Sequence, residues 1–163
     1  MRGIGGIVTD TVYIDWIQGV VPFHQVKDLK HKTYDLDRKG LYAILAGTRS
    51  QKAWVDLRLL YIGQAFDQIL RERIPQKHPA YECVFKYQKR HSGVHILVMI
   101  GFIEKSTVER ATQQLYDDIE CCLILCNQPW CNTTCKESYS GRDLQVINVG
   151  HYKPLKERCS CHT

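Results

Sequence analysis

Two tyrosines and an arginine are the first residues of this sequence whose types and spacing suggest chemistry. Tyr42 ends the triplet GLY at 40–42, Tyr61 begins the triplet YIG at 61–63, and Arg71 follows Tyr61 by ten residues (71 − 61). A guanidinium group can hold phosphate oxygens through two parallel hydrogen bonds and can stabilise extra negative charge on them. Phenol hydroxyls can orient a phosphate group or a water molecule, so these groups together would suit chemistry on a phosphate.

A hairpin followed by a helix is the local structure that would bring these side chains together. Residues 41–46 and 54–62 are rich in β-forming side chains, and the polar stretch 47–52 between them predicts an antiparallel hairpin. Gly63 is expected to end the second strand. A helix would then carry Arg71 back over the face that the two tyrosines share.

The pattern resembles that of the GIY-YIG nuclease family. GLY stands where the family has GIY, YIG is present unchanged, and Arg71 lies at the family's distance from the second tyrosine. Farther along, Glu120 is followed by Asn132 at a separation of twelve (132 − 120). This pair resembles the metal-binding glutamate and the asparagine of the family's excision-repair branch. The resemblance covers over half of the chain.

This resemblance implies hydrolysis of phosphodiester bonds in DNA with a single Mg²⁺ or Mn²⁺ ion. Glu120 would be the metal ligand, because Mg²⁺ binds through one or two carboxylates together with waters and substrate phosphate. Arg71 would stabilise the phosphate, while Tyr42 and Tyr61 would orient it or the attacking water. One of the two tyrosines would act as general base, and the sequence does not decide which. Asn132 would hold a loop in place through hydrogen bonds to the backbone.

Further candidate residues surround this motif. His78 is a loose substitute for a catalytic histidine that some relatives place after the arginine, and a surface histidine is the alternative. Gln64 stands where some relatives carry a basic residue. A solvated turn is the alternative to nucleic-acid binding at 89–91. The side chains expected to contact nucleic acid are Gln64, Arg73, Lys77, Lys89 and Arg90.

The composition is that of an ordinary globular chain with a basic balance. The 163 residues suggest one domain, and 44% are hydrophobic and 24% charged. A net charge of +5 and a pI near 8.8 fit a nucleic-acid partner without requiring one. We expect DNA as the partner, with RNA not excluded, and a monomer or homodimer. A cytoplasmic location without membrane contact is expected, because we find neither a membrane-length apolar run nor a signal peptide.

The expected fold class is α/β (α+β), with a small central mixed, mainly antiparallel sheet flanked by helices in a GIY-YIG endonuclease-like arrangement. Residues 1–39 would form an N-terminal extension and 40–140 the nuclease-like domain. Residues 141–163 would form a C-terminal extension with an edge strand at 146–149 and a cysteine-rich tail. The other predicted elements are strands at 7–14, 82–88 and 94–103, a short helix at 15–21, and a helix that begins at a capping box, 106–109.

The eight cysteines leave several chemical states open. We expect reduced thiols, because cytosolic proteins rarely hold disulfides and Cys121, Cys122 and Cys126 fall on a helix with an apolar face. A structural Zn²⁺ ion held by the cluster at 126–135 and the tail at 159–162 is one alternative. Disulfide bonds are the other.

Two other functions compete with catalysis. One is a catalytically inactive nucleic-acid-binding module that keeps the GIY-YIG fold. The other is a zinc-organised interaction protein in which the triplets are coincidental. Loss of the arginine or the glutamate usually marks an inactive member, and both residues are present here.

Overall fold

A seven-stranded sheet runs through the structure, a computed structural model that describes residues 8–30 and 35–163. The described strands are β1 (Asp10–Trp16), β2 (Val21–Pro22), β3 (Gly40–Ser50), β4 (Ala53–Ala65), β5 (His95–Ser106), β6 (Leu144–Gly150) and β7 (Arg158–Cys161). The described helices are α1 (Leu70–Arg73), α2 (Ala80–Arg90) and α3 (Gln113–Asn127), together with a 3-10 turn at Phe23–Gln25. None of these helices is long and apolar enough to cross a membrane. The class is therefore α+β, as predicted.

The strand order is β4-β3-β5-β1-β6-β7, and β2 pairs with β5 outside this path. The pairing of β1 with β6 is parallel, whereas the other described pairs are antiparallel. The sheet is thus mixed and mainly antiparallel, and β5 is a central strand, as its apolar run predicts.

The hairpin predicted between the two triplets is confirmed. β3 and β4 pair antiparallel, with Tyr42 opposite Gly63. Gly63 does not end the second strand as expected, because β4 continues to Ala65 and α1 is only one turn long. A Cβ atom at Gly63 would lie 2.5 Å from the Tyr42 ring and 2.8 Å from the Tyr61 ring. This glycine therefore serves the close approach of two tyrosines rather than a break in the chain.

Alternation along β3 divides the core into two layers. Leu41 and Ala43 belong to the layer that contains the buried side chains of α3. Tyr42 and Ile44 belong to the layer that contains those of α1 and α2. Because successive strand residues point to opposite faces, helices cover both faces of the hairpin. Tyr61 lies in the same layer as Tyr42.

Two of the predicted elements are wrong in type. The helix expected at 15–21 is wrong at its start, because Asp15 and Trp16 belong to β1, which is paired on both sides with β5 and β6. The strand expected at 82–88 lies inside α2, where Tyr81 and Val84 are buried three residues apart. A helical period therefore overrides the β propensity of the aromatic and branched residues in this stretch.

The helix that carries Glu120 begins later than its predicted capping box. Ser106 is still in β5 and pairs with Val12, so the box is not used. The helix instead follows Thr112, whose hydroxyl oxygen accepts a hydrogen bond from the Leu115 N–H at 3.2 Å. Threonine is a favoured residue at this capping position.

Both segments assigned to extensions contribute strands to the same sheet. β1 comes from the N-terminal segment and lies between β5 and β6. β6 in turn lies between β1 and β7, so the edge strand predicted at 146–149 is an inner strand. The edge is β7, from the cysteine-rich tail. The strand predicted at 7–14 is confirmed from Asp10 onward as β1, which continues to Trp16; residues 8 and 9 are not in the strand, and Ile7 lies outside the described residues.

All eight cysteines are paired, so the expectation of reduced thiols is wrong. The disulfides join Cys83 to Cys131, Cys121 to Cys135, Cys122 to Cys161, and Cys126 to Cys159. These bonds use every sulfur that the Zn²⁺ site considered from the sequence would need as a thiolate.

Two of these bonds can form because the cysteines are spaced to suit the helix on one side and the strand on the other. Cys122 and Cys126 lie one helical turn apart on α3, and Cys159 and Cys161 lie two residues apart on β7. Both steps place the two side chains on one face of their element. The two disulfides therefore fasten α3 to the edge strand.

Candidate active site

A cleft of about 480 Å³ opens where β4, α2, α3 and the loop after α3 meet. Side chains from well-separated parts of the sequence converge on it. Those that the sequence singled out are Tyr61, Gln64, Arg73, His78, Glu120 and Asn132. Most of the predicted site is therefore brought together, although Tyr42 and Arg71 are not among the residues that line this cleft.

Tyr42 lies behind Tyr61 rather than in the cleft. It is fully buried, and its ring centroid is 6.0 Å from that of Tyr61. Its hydroxyl lies 3.5 Å from that of Tyr81, which donates a hydrogen bond to the Ile74 carbonyl at 2.6 Å. Tyr81 was not among the candidates from the sequence. The three tyrosines form a buried cluster that supports Tyr61, the member that faces the cleft.

Both predicted tyrosines are held in the protonated state at neutral pH. Burial raises the pKa of Tyr61 to about 12, helped by the negative charge of Glu120. Burial, with the neighbouring phenols, raises the pKa of Tyr42 well above its usual range. Tyr61 can therefore donate a hydrogen bond from its hydroxyl into the cleft more readily than it can accept a proton.

Arg71 does not lie over the tyrosine face as expected. Its Nε donates to Asp37 at 2.6 Å, and its guanidinium also donates to the backbone carbonyls of Val26, Lys27 and Leu29. The hydrogen bond to the Asp37 carboxylate is the main reason that the pKa of Arg71 is raised. Arg71 therefore fastens the segment before β3 onto α1.

Arg73, expected only as a nucleic-acid contact, supplies the guanidinium of the cleft. Burial raises the pKa values of Tyr61 and Glu120, and the positive charge of Arg73 opposes both shifts. Burial and the charge of Arg73 together lower the pKa of His78. Arg73 lines the same cleft as all three groups.

Glu120 extends from α3 into the cleft at the edge of the helix's buried face. Burial raises the pKa of its carboxyl group to about 7, and the negative charge of Asp117 adds to the effect. Arg73 and a hydrogen bond from the backbone of Gln64 oppose this rise. At neutral pH the site is thus poised between a neutral and a charged carboxyl group, and a cation would favour the charged form.

His78 lies in the cleft, where a catalytic histidine would be needed. Its ring centroid lies 5.4 Å from that of Tyr61. Its Nδ1 accepts a hydrogen bond from the Ala80 N–H at 3.1 Å, which assigns the proton of the neutral ring to Nε2. Because its pKa is lowered, His78 is a neutral hydrogen-bond donor at neutral pH.

Asn132 holds the loop after α3 against the hairpin, the role expected for it. Its Oδ1 accepts from the Ile62 N–H at 2.9 Å, and its Nδ2 donates to the Ile62 carbonyl at 3.0 Å. The preceding residue, Cys131, donates its N–H to the Leu60 carbonyl at 2.6 Å and is crosslinked to Cys83. One loop is therefore fixed both to β4 and to α2 at the wall of the cleft.

The oxygen donors of the cleft fit a hard divalent cation. The Nε2 of Gln64 donates to Asp117 at 3.0 Å, whereas its Oε1 is buried without a hydrogen-bond partner. An unpartnered buried amide oxygen is costly alone but is a suitable ligand for Mg²⁺. Glu120 adds a carboxylate. In the described part of the chain, no group of three or more His, Cys, Asp or Glu side chains is arranged to hold a metal ion, but Mg²⁺ needs only one or two carboxylates.

The other predicted nucleic-acid contacts lie around the cleft rather than in it. Lys77 lines a neighbouring apolar cavity that shares His78 and Pro79 with the cleft. Lys89 and Arg90 are exposed in the last turn of α2, and the expected turn follows them at 91–93. Their use in binding stays a prediction.

The chain matches no model of a known protein family, no curated protein and no solved structure in the three comparisons. Function must therefore be inferred from its own residues and their geometry.

Proposed function

We propose that this chain is a metal-dependent endonuclease that hydrolyses phosphodiester bonds in DNA at a GIY-YIG-type centre. One observation carries the proposal: Tyr61, Arg73, His78 and Glu120 converge on a single cleft from three separate parts of the chain, with Arg73 and His78 in the same stretch between β4 and α2. These groups combine a metal-ligating carboxylate, a guanidinium and two neutral hydrogen-bond donors. This is the set of groups that phosphoryl chemistry needs.

Glu120 and the free Oε1 of Gln64 would hold Mg²⁺ or Mn²⁺. The bound ion would polarise the scissile phosphate and neutralise charge on the leaving oxygen. Binding requires the charged form of Glu120, whose pKa is about 7, so loading of the site would release part of a proton at neutral pH.

Arg73 would grip a non-bridging oxygen of the phosphate and stabilise the additional charge of the transition state. Tyr61, protonated at neutral pH, would donate a hydrogen bond from its hydroxyl to a phosphate oxygen and so orient it, while the proton that the attacking water loses would pass to solvent. Nε2 of His78, whose ring lies beside that of Tyr61, would donate a second hydrogen bond. Tyr42 would act through Tyr61, as a positioning residue.

Four disulfides favour an oxidising environment, because such bonds are rare in the cytosol. The sequence analysis expects a cytoplasmic location instead, and that location stays a prediction. DNA rather than RNA as substrate, and a monomer rather than a homodimer, likewise stay predictions.

Nicking of supercoiled plasmid tests the proposal. We expect nicking by the oxidised wild-type protein with Mg²⁺ or Mn²⁺ and none with EDTA. Glu120→Gln, which keeps the shape of the side chain and removes its charge, should reduce the rate at least about 100-fold. Glu109→Gln, a matched change at an exposed carboxylate before α3, should cleave as the wild type does.

The competing function is a binding module that keeps the fold without activity. Folded wild-type protein that binds DNA but cleaves neither plasmid, branched DNA nor RNA with either metal would support that module. Equal cleavage by Glu120→Gln and wild type would show that this cleft is not the site of the reaction.

A further inference from the structure

Trp130 presents its indole to solvent from an unusually constrained backbone. The residue is 64% exposed, although its neighbours Pro129 and Cys131 are buried. The backbone N–H of Trp130 donates a hydrogen bond to the Leu59 carbonyl at 3.3 Å. The next residue is crosslinked to Cys83 on α2. An exposed large aromatic side chain on a fixed loop loses little further freedom when it binds a ligand.

The indole borders a second cavity, of about 600 Å³, that carries positive charge. Arg58 from β4 and Lys86 and Arg90 from α2 line it beside Trp130, while Glu82 supplies a carboxylate. Three cations against one anion leave an excess of positive charge. An aromatic face among arginine and lysine side chains is a combination suited to bases and phosphates on one strand.

This cavity adjoins the proposed active site. Pro79 and Cys83 line both the cavity and the cleft that contains Tyr61 and Glu120. The disulfide of Cys83 also ties Trp130's loop to the wall between them. A strand whose phosphate lies in the cleft could therefore continue directly over the indole.

We propose that Trp130 is a stacking platform for an unpaired base of the nucleic-acid strand, with Arg58, Lys86 and Arg90 as its phosphate contacts. In an intact duplex both faces of each internal base are already stacked on neighbouring bases, so the platform selects DNA with a single-stranded or frayed segment next to the cleavage site. The inference rests on the proposed nuclease function and specifies its substrate class.

Binding is measured in the Glu120→Gln background with EDTA, so that no cleavage occurs. The probes are a fluorescein-labelled single-stranded oligothymidylate and a blunt, fully paired duplex of the same length. Trp130→Ala should weaken binding of the single strand about 5- to 150-fold and that of the duplex by less than about threefold. Trp130→Tyr, which keeps an aromatic face, should retain most of the affinity for the single strand.

Tryptophan fluorescence reports the contact itself. Of the three tryptophans, Trp16 is fully buried and Trp54 is partly buried, so Trp130→Tyr separates their signals: the part of the quenching by the oligothymidylate that this variant loses comes from Trp130. Arg90→Gln should weaken both probes alike and reduce the salt dependence of binding by about one counterion.

Equal affinity of Trp130→Ala and its parent for the single strand would overturn the platform. Equal losses for single strand and duplex would overturn its selectivity for unpaired bases. Either result leaves the plasmid test of cleavage unaffected. Conversely, stacking without any cleavage by the wild type would refute the nuclease and keep the platform.

Discussion

The carboxyl group of Glu120 should make the stability of the metal-free protein depend on pH near neutrality. Burial raises its pKa to about 7 from 4.5. Between these values the folded state binds more protons than the unfolded state, so the free energy of unfolding falls as the pH rises from about 4.5 through about 7. One pKa unit corresponds to about 1.4 kcal/mol, so the charged Glu120 carboxylate lowers the free energy of unfolding by about 3 kcal/mol at pH values above 7.

Glu120→Gln removes this penalty while preserving the shape of the side chain. Urea denaturation with EDTA, at about pH 5 and about pH 8.5, should show the variant gaining up to about 3 kcal/mol relative to the wild type at the higher pH. His78, whose lowered pKa has the opposite effect on stability, is present in both proteins and largely cancels in the difference. Glu109→Gln should show no such pH-dependent gain.

Addition of Mg²⁺ at the higher pH should then stabilise the wild type and leave Glu120→Gln unchanged, because the site loses its only charged ligand with the carboxylate. A difference between wild type and Glu120→Gln that is constant from pH 5 to 8.5 would refute the reasoning. A gain by the wild type as pH rises would show that Arg73 stabilises the carboxylate by more than burial costs.

Three further outcomes follow from the same geometry. Asn132→Ala should lower the free energy of unfolding, measured in urea, by about 2–4 kcal/mol, because the N–H and the carbonyl of Ile62 both lose their buried partner. Thr133→Ala, a change at the exposed neighbouring residue, should lower it by less than about 0.5 kcal/mol. Equal values for the two variants would contradict the role of Asn132 in holding the loop. The double variant Cys83→Ser/Cys131→Ser should lose about 2–4 kcal/mol in the same measurement, and unchanged stability would show that this bond does not constrain the loop. Plasmid cleavage at limiting Mg²⁺ should fall up to about tenfold per pH unit below about pH 7, with a midpoint that moves to lower pH as Mg²⁺ is raised, and a flat profile from pH 6 to 8 would contradict metal binding through Glu120.

The hairpin could be predicted because its signals are local, whereas the placement of Glu120 and Asn132 beside it was expected only from the family resemblance. The polar tip between two β-rich runs fixes the pairing of β3 with β4. The glycine opposite Tyr42 belongs to the same register, since any Cβ atom there would strike that ring. The backbone-binding role of Asn132 was expected from the family resemblance alone, and its two hydrogen bonds to Ile62 agree with that role.

The identity of the cleft arginine could not be predicted from spacing alone. α1 begins at Leu70 only after β4 has run on to Ala65, and burial of Leu70 and Ile74 fixes the rotation of the single turn. Arg71 and Arg73 are two residues apart, about 200° around a helix, so only one of them can face the cleft. The packing of Leu70 decides between them, and that packing is a tertiary property.

The disulfides were missed for a different reason. The four-residue step of cysteines on α3 and the two-residue step on β7 are visible in the sequence. The match of helix to strand could not be read from them, because no strand was predicted at 158–161, and a cytosolic protein was expected to hold reduced thiols. Helical α2 was missed because aromatic and branched side chains favour strands locally, while the burial of Tyr81 and Val84 on one face becomes evident only in the packed structure.

The most direct test of the active site is plasmid cleavage by Arg73→Ala and Arg71→Ala, assayed side by side with saturating Mg²⁺. Arg73→Ala should cleave about 100- to 1,000-fold more slowly than the wild type, because it loses the guanidinium of the cleft. Arg71→Ala should melt roughly 2–4 °C lower, because it loses its hydrogen bonds to Asp37 and the backbone, yet should cleave at a rate close to that of the wild type below its melting range. A folded Arg73→Ala variant that cleaves normally while Arg71→Ala is inactive would contradict the site described above.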